Sequence, residues 1–439
     1  MTTRVVALRA NDEFEVRSAA REEVIKFNLA GGGENAVGSD IASVQSRWSV
    51  LPPPVALDLL DLCVSVYTTD KMIERATTGW DGWTRDVTLY VSVRDLDVWN
   101  GTAGGVLTDL VNYLTGDTWT LVFRPFSSTD SLPTGSATVT AEEVSLFSGG
   151  LDSYVGAIDA LEQKKNILLV SHHGRGPAGA ASISQTRTIN ILKDTFSGIE
   201  RLSYYIASPQ KHSPEDSSRS RALLFYGLAA ATALGTGAGQ MVIPENGHVS
   251  LNVPLTTSHL GSASTRSTHP YTIHLWQRLL HALGMKLNVV LPYHHMTKGE
   301  VLTQCSKPDL MRKGLTATVS CGNPNVAARD AKLPPELRKP GTHCGYCWAC
   351  LVRRAAIQAA LGDDPTLYAY SDPRELTGDK ARTVKAARLA FRTEGEHPTM
   401  ARVLSAGPLP LPAGEVEQFL GVYRRGQQEV RQFLKGYGL

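Results

Sequence analysis

Ser148-Gly149-Gly150-Leu151-Asp152-Ser153 stands between the apolar run Val144–Phe147 and the helical stretch Tyr154–Ala160, and its reading decides the fold. A strand, a glycine turn and a helix start bring free backbone N–H groups and hydroxyls to the positive end of a helix, which suits phosphate oxygens. Gly149 and Gly150 let the backbone approach an anion, Ser148 and Ser153 offer hydroxyls, and Asp152 can hold a Mg2+ ion or a water beside it. The Walker spacing that ends in Gly-Lys-Ser/Thr is absent from the chain, so this is not the common P-loop and no lysine sits inside the turn. The same six residues also suit an ordinary strand-to-helix turn with a serine N-cap.

Around this turn the pattern runs strand, helix, strand, helix. Val144–Phe147, Ile167–Ser171, Leu202–Ala207 and Met241–Pro244 read as strands separated by apolar helical segments. That order predicts an α/β fold with a doubly wound parallel sheet. Ligands gather at the carboxyl ends of such strands, where His172 and His173 follow the second strand and Glu245 and Asn246 the fourth. The helix Arg221–Leu234 ends in Gly235-Thr-Gly237-Ala-Gly239, which follows a helix instead of a strand and reads as a helix stop, not a dinucleotide fingerprint. The long polar segment Thr256–Pro270 carries Arg266 and His269, able to pair with a carboxylate or phosphate, though a solvated surface loop fits it equally well.

Residues 1–140 read as a separate α/β or α+β unit, taken as α+β, with strands at Val5–Leu8, Thr88–Val93 and Trp119–Phe126 and a helix at Val55–Val66. Trp80, Trp83 and Trp99 in this unit suit core and rim packing better than a ligand platform. Ser127–Ser136 is the linker candidate, and residues 361–439 form a helical extension. In that extension Lys380, Arg382, Lys385, Arg388 and Arg392 make a basic face, more simply solvated than bound to an acidic partner or RNA. Glu415–Leu434 is amphipathic and suits packing or the subunit contact of a homodimer.

The chain has 439 residues, enough for two or three domains, and 44 Lys plus Arg against 42 Asp plus Glu, a balance that argues against a general nucleic-acid binder. With no apolar run of about 18 residues and no charged segment leading into an apolar core, it is expected to be soluble and cytoplasmic, without a membrane partner.

Cys344-Gly-Tyr-Cys347-Trp-Ala-Cys350 sets three sulfurs at three-residue intervals, poor spacing for disulfides and good spacing for one metal. Cys321 is the matched fourth ligand, and His343 is a rival whose adjacency to Cys344 makes its reach awkward. Four thiolates would saturate Zn2+ and leave no place for water, so the site would be structural; an iron–sulfur cluster fits the same spacing. Cys63 and Cys305 read as buried thiols.

Taken in order, Ser148–Ser153, Arg221 with Phe225, Thr297-Lys298-x-Glu300, Thr318-x-Ser320-Cys321 and Cys344/Cys347/Cys350 followed by Arg353 or Arg354 resemble the PP-loop ATP pyrophosphatase superfamily, and within it the 7-cyano-7-deazaguanine synthases. The resemblance covers residues 143 to about 360. It implies an ATP- and Mg2+-dependent C–N ligase that adenylates a 7-deazaguanine-type carboxylate, releases pyrophosphate and passes the acyl group to an amine, forming an amide or nitrile. Ser148, Gly149, Gly150, Leu151, Asp152 and Ser153, with His172 and His173, would hold ATP. Asp152, Arg221 and Lys298 would be catalytic, Glu245, Asn246, Arg266 and His269 would meet the carboxylate substrate, and Cys321, Cys344, Cys347 and Cys350 would hold Zn2+. Arg221-Ala replaces the family's usual Arg-Asn, Pro244-Glu-Asn-Gly247 and Ser264–Pro270 differ from its substrate loop, and the terminal units are extra. These departures look more like the synthase-like proteins of bacterial anti-phage operons such as the Qat type, which would imply a protein amine as acceptor and an operon-encoded partner. Two other readings stand beside it: a PP-loop enzyme that modifies tRNA, and a zinc-stabilised nucleotide-sensing module without catalysis.

Overall fold

The computed structural model describes residues 2–9, 12–17, 22–29, 33–126, 138–209, 214–217, 219–256, 265–395 and 398–439. The linker candidate Ser127–Ser136 and residues 257–264 of the long polar segment lie outside them. Strands β1 (Thr2–Leu8), β2 (Glu23–Asn28), β4 (Asp86–Val93) and β5 (Thr118–Pro125) form a four-stranded sheet in the order β2-β1-β4-β5, with every pairing parallel. The expectation of an α+β unit is therefore corrected. The helix Pro54–Met72 lies between β1 and β4 in the chain and Thr102–Thr115 between β4 and β5, and crossovers of this kind return the chain in the same direction.

The second sheet contains β6 (Glu143–Leu146), β7 (Ile167–His173), β8 (Glu200–Ala207), β9 (Gln240–Val242) and β10 (Asn288–Val290), all parallel, with the two-residue β3 (Gly38–Ser39) antiparallel on the β8 edge. Its order is β10-β9-β6-β7-β8-β3. The chain runs outward from β6 to β8 on one side and resumes at β9 on the other, so the winding reverses beside β6, the place where open α/β sheets leave a crevice. Side-chain alternation along β7 divides the interior: Leu168 and Val170 face one core with the Arg221–Thr236 helix, while Ile167 and Leu169 face another with Leu151, Tyr154, Val155 and Ile158 of the Leu151–Glu162 helix. The latter four recur at helical spacing, which is why that segment covers the sheet.

The first core is shared. Val5, Leu89 and Leu62 belong to the same cluster as Leu224, Leu228 and Trp276. At the junction, Arg75 grips Asp117 through two bonds of 2.7 and 2.8 Å, and Arg85 bridges Asp117 at 2.6 Å and also reaches Asp70. The second Asp70 oxygen accepts from the Ser220 hydroxyl at 2.6 Å and the Ser220 amide at 3.2 Å, immediately before the Arg221–Thr236 helix. Burial would raise the Asp70 carboxyl, but Arg85, Ser220 and Arg75 outweigh it and hold it below its ordinary value. The glycines after this helix behave as a stop, Gly237 taking φ +78° at its end.

Trp99 is fully buried and Trp80 is exposed. At the C-terminal end the helix Ala413–Lys435 packs Val430, Phe433 and Leu434 on Leu351 and Val352 of the helix Trp348–Leu361. Arg382, Lys385 and Arg392 point to solvent from the Arg382–Glu394 helix, while Lys380 pairs with Asp330 at 3.3 Å. Among the described residues no helix is long and apolar enough to cross a membrane.

Candidate functional site

The turn after β6 is built around Gly149, whose φ of +82° favours glycine. A Cβ there would lie 2.9 Å from the Ser184 hydroxyl and 3.0 Å from the Gln185 amide. The Gly149 carbonyl accepts from Ser184 at 2.6 Å and from the Val319 amide at 2.9 Å, so the turn is pinned between two segments distant in sequence. Ser148 Oγ accepts from the Gly150 amide and lies 3.2 Å from Ser153 Oγ. No side chain caps the Leu151–Glu162 helix at Gly150, and first-turn amides such as those of Asp152 and Ser153 have no intrahelical acceptor. Ser320 Oγ takes the Leu151 amide at 3.3 Å and is itself held by buried Arg353, which also donates to Thr318 and to the Leu315 carbonyl at 2.6 Å.

Asp152, the second residue of that helix, meets Lys298 at 2.5 Å. Lys298 is delivered by a capping box in which Thr297 and Glu300 close the start of the helix Lys298–Thr303. The other Asp152 oxygen accepts from Asn246 Nδ2 at 2.7 Å, and Asn246 Oδ1 in turn caps the short helix Gly247–Leu251. Gly247 is required here, since a Cβ would fall 2.0 Å from the His294 carbonyl oxygen. Burial works against the Asp152 carboxylate, but Lys298 and hydrogen bonds from Glu245 and Asn246 hold it at about 2. Glu245 moves the opposite way: burial and the neighbouring Asp152 charge raise it well above its ordinary value, so it keeps its proton and donates to Asp152. One anion, one neutral acid and one ammonium thus share a wall.

These groups line a cavity of about 430 Å³ together with Ser148, Gly150 and Ser153 from the turn and Arg221 from the opposite wall. Arg221 has no ion pair among the described residues; its guanidinium rests on the Phe225 ring at 5.3 Å. Burial lowers its pKa. Ile243, Pro244 and Val249 supply apolar wall, and Thr265, Ser267 and Thr268 close one side.

Four expected ligand contacts fall elsewhere. His172 is a packing residue: its Nε2 donates to the Ile206 carbonyl at 3.0 Å, its ring meets Tyr67 and Phe225 edge-on, and burial with nearby Arg221 brings its pKa down to about 3. His173 lies against Tyr205. Arg266 stacks on Tyr113 at 4.5 Å and donates to its carbonyl at 2.9 Å, and His269 bonds the Tyr113 hydroxyl at 2.9 Å while capping the helix Pro270–Ala282. None of the four is among the lining residues, because each has an internal partner that turns it inward. Asn246 acts behind Asp152 and is not at the surface of the cavity.

The four cysteines converge: one sulfur each from Cys321, Cys344, Cys347 and Cys350 lies within 4.8 Å of the others. Gly345 takes φ +88°, with no room for a Cβ beside the Tyr370 carbonyl. Backbone amides of Cys344 and Asn323 point at the Cys321 sulfur at 3.4 and 3.3 Å, and the Cys347 amide at the Cys344 sulfur at 3.4 Å. His343 is excluded from this set because its Nε2 accepts the Ser320 amide at 3.1 Å. A quartet of thiolates could bind a metal, and its donor set fits zinc. Cys321 also lines the cavity, directly after Val319 and Ser320, which hold the turn, so the four-cysteine loop supports the wall on the turn's own side.

Sequence reasoning missed Arg353 as the clamp behind Ser320 and the inter-strand role of Gln185, which donates to the Ser148 and His172 carbonyls at 3.3 and 3.1 Å. Arginine directly after a cysteine triplet was a signal; the glutamine had none. No protein-family model matches the chain, and no curated protein matches it.

Proposed function

We propose that this chain is an ATP-dependent C–N ligase of PP-loop type, which adenylates a 7-deazaguanine-type carboxylate and passes the acyl group to ammonia or a protein amine. The observation that carries the reading is the turn Ser148–Ser153, whose Asp152 and Ser153 amides have no intrahelical acceptor, sharing one cavity with Arg221, which has no ion pair among the described residues. Open amides and a free cation on opposite walls favour an elongated polyanion, and the apolar patch between them suits a planar base.

In the proposed reaction a carboxylate oxygen attacks the α-phosphorus of ATP, an acyl O–P bond forms, and the bond to the β-phosphate oxygen breaks with loss of pyrophosphate. The amine nitrogen then attacks the acyl carbon, gives up a proton, and displaces AMP. No protein nucleophile is needed, so the residues act by position and charge. Arg221 and the turn amides take up the charge of the departing pyrophosphate, Lys298 fixes Asp152 as an anion, and protonated Glu245 keeps the wall from carrying two negative charges. Mg2+ bound beside the phosphates would supply further charge neutralisation, and Asp152 is the anionic oxygen donor on the wall that fits it. The cysteine-bound Zn2+ would be structural, and anti-phage defence is the setting proposed for the activity.

The test is pyrophosphate release from ATP with 7-carboxy-7-deazaguanine and candidate amines, comparing the natural chain with Arg221→Met. Loss of one preorganised donor to the developing charge predicts a fall of about 100-fold or more. Since Arg221 has no ion partner, its unfolding midpoint should stay near that of the natural chain. Equal turnover in the two proteins would remove the assignment.

A further inference from the structure

The turn between β10 and Lys298 carries a second set of metal-ligating side chains, apart from the cysteines. The rings of His294 and His295 lie with centroids 3.8 Å apart, and Glu415 faces them from the first turn of the helix Ala413–Lys435. One ligand atom from each of the three falls within 4.8 Å of the others, and all three residues are only half-buried, leaving a path for an ion from solvent.

We infer that His294, His295 and Glu415 bind one divalent transition-metal ion, with zinc best matched, and that this ion fastens the C-terminal helix to the turn that delivers Lys298. Two imidazoles and one carboxylate make a three-ligand set that leaves a fourth tetrahedral position for water. His294 Nδ1 donates to the Leu291 carbonyl. A carbonyl only accepts, so Nδ1 carries a proton and Nε2 is the ring nitrogen left to a metal, the outer-sphere arrangement that orients metal-bound histidines. His295 Nδ1 is buried without a hydrogen-bond partner, an orphaned polar atom that a metal or its water would satisfy. Glu415 sits at a helix start, where a negative charge is favoured. The nearby cation Arg425 is paired with Glu300 and donates to the His295 carbonyl at 2.9 Å, so its charge is already balanced. Phe419 packs on both rings at 6.1 and 5.0 Å and walls the site on its inner side.

The inference is independent of the nucleotide reading and is tested without turnover. Co2+ is titrated into the full chain, free of tag histidines, because cobalt bound to thiolates absorbs by sulfur-to-metal charge transfer and cobalt bound to nitrogen and oxygen does not. The expected result is one cobalt with the thiolate band and one more without it. A His294→Ala/His295→Ala double variant should lose only the second, with binding weakened on the order of 100-fold or more. Glu415→Gln, a change at a partly exposed helix end, provides the same comparison should the double variant fold poorly; zinc added after the cysteine site is filled should raise the unfolding midpoint of the natural chain and not of Glu415→Gln. Uptake of the cysteine-bound ion alone by the natural chain, or equal affinity for the second ion in Glu415→Gln, would overturn the site.

Discussion

Replacing Lys298 by Met keeps the aliphatic stem and deletes the charge that faces Asp152 inside the sheet crevice. In the natural chain the Asp152 carboxyl falls from an ordinary 3.8 to about 2, which corresponds to about 2 kcal/mol of folding free energy at neutral pH. Because this is a net effect after burial has acted against the charge, the loss on removing Lys298 is larger, about 3–5 kcal/mol, as for other buried pairs left with one member. The sign of the pH dependence also changes. With its folded value depressed, Asp152 contributes stability fully present above pH 3.8 and lost as pH falls from there to about 2. Without the ammonium, burial, the largest influence on this carboxyl, is opposed only by the hydrogen bonds from Glu245 and Asn246 and would carry it above its ordinary value, so Lys298→Met should lose stability as pH rises past 3.8. Urea unfolding of the natural chain, Lys298→Met, Asp152→Asn and the double variant at several pH values reads both effects. The double variant should recover much of the loss, with a coupling of about 2 kcal/mol; additivity within about 0.5 kcal/mol and an unchanged pH slope in Lys298→Met would refute the argument.

Gly149→Ala forces a Cβ onto the Ser184 hydroxyl in a left-handed conformation and should cost about 1–2 kcal/mol by thermal unfolding, with a greater proportional loss of ATP affinity measured by calorimetry. Cys350→Ser should lower the metal content by one ion per chain in elemental analysis and reduce stability more than Cys305→Ser, since Cys305 has no partner sulfur.

The residues that made the site legible were those whose chemistry is local. The Ser148–Ser153 turn announces its own geometry, and the helix Leu151–Glu162 follows from apolar spacing that continues directly out of it. The cysteines were legible because thiolate chemistry permits few partners, so that Cys321 could be joined to Cys344 across 23 positions. What stayed hidden depended on where polar side chains turn after the chain is packed. His172, Arg266 and His269 follow strands or sit in polar loops just as Glu245 does, yet each found an internal carbonyl, ring or hydroxyl and left the cavity. Strand β2 was missed because Lys26 interrupts its apolar pattern. The likeness of Glu415 to a ligand could not be read at all, since its meeting with His294 spans more than a hundred residues and depends on how the last helix docks.

Asp70 reaches from the first sheet's helical layer to fasten Ser220, the residue ahead of Arg221. The amino-terminal portion is thus a foundation and not an ornament: excising it would release the hydrogen bonds that moor Ser220, and with it the start of the helix that carries Arg221. Any molecule that tugs on Arg75, Arg85 or Asp117 pulls on the same rope.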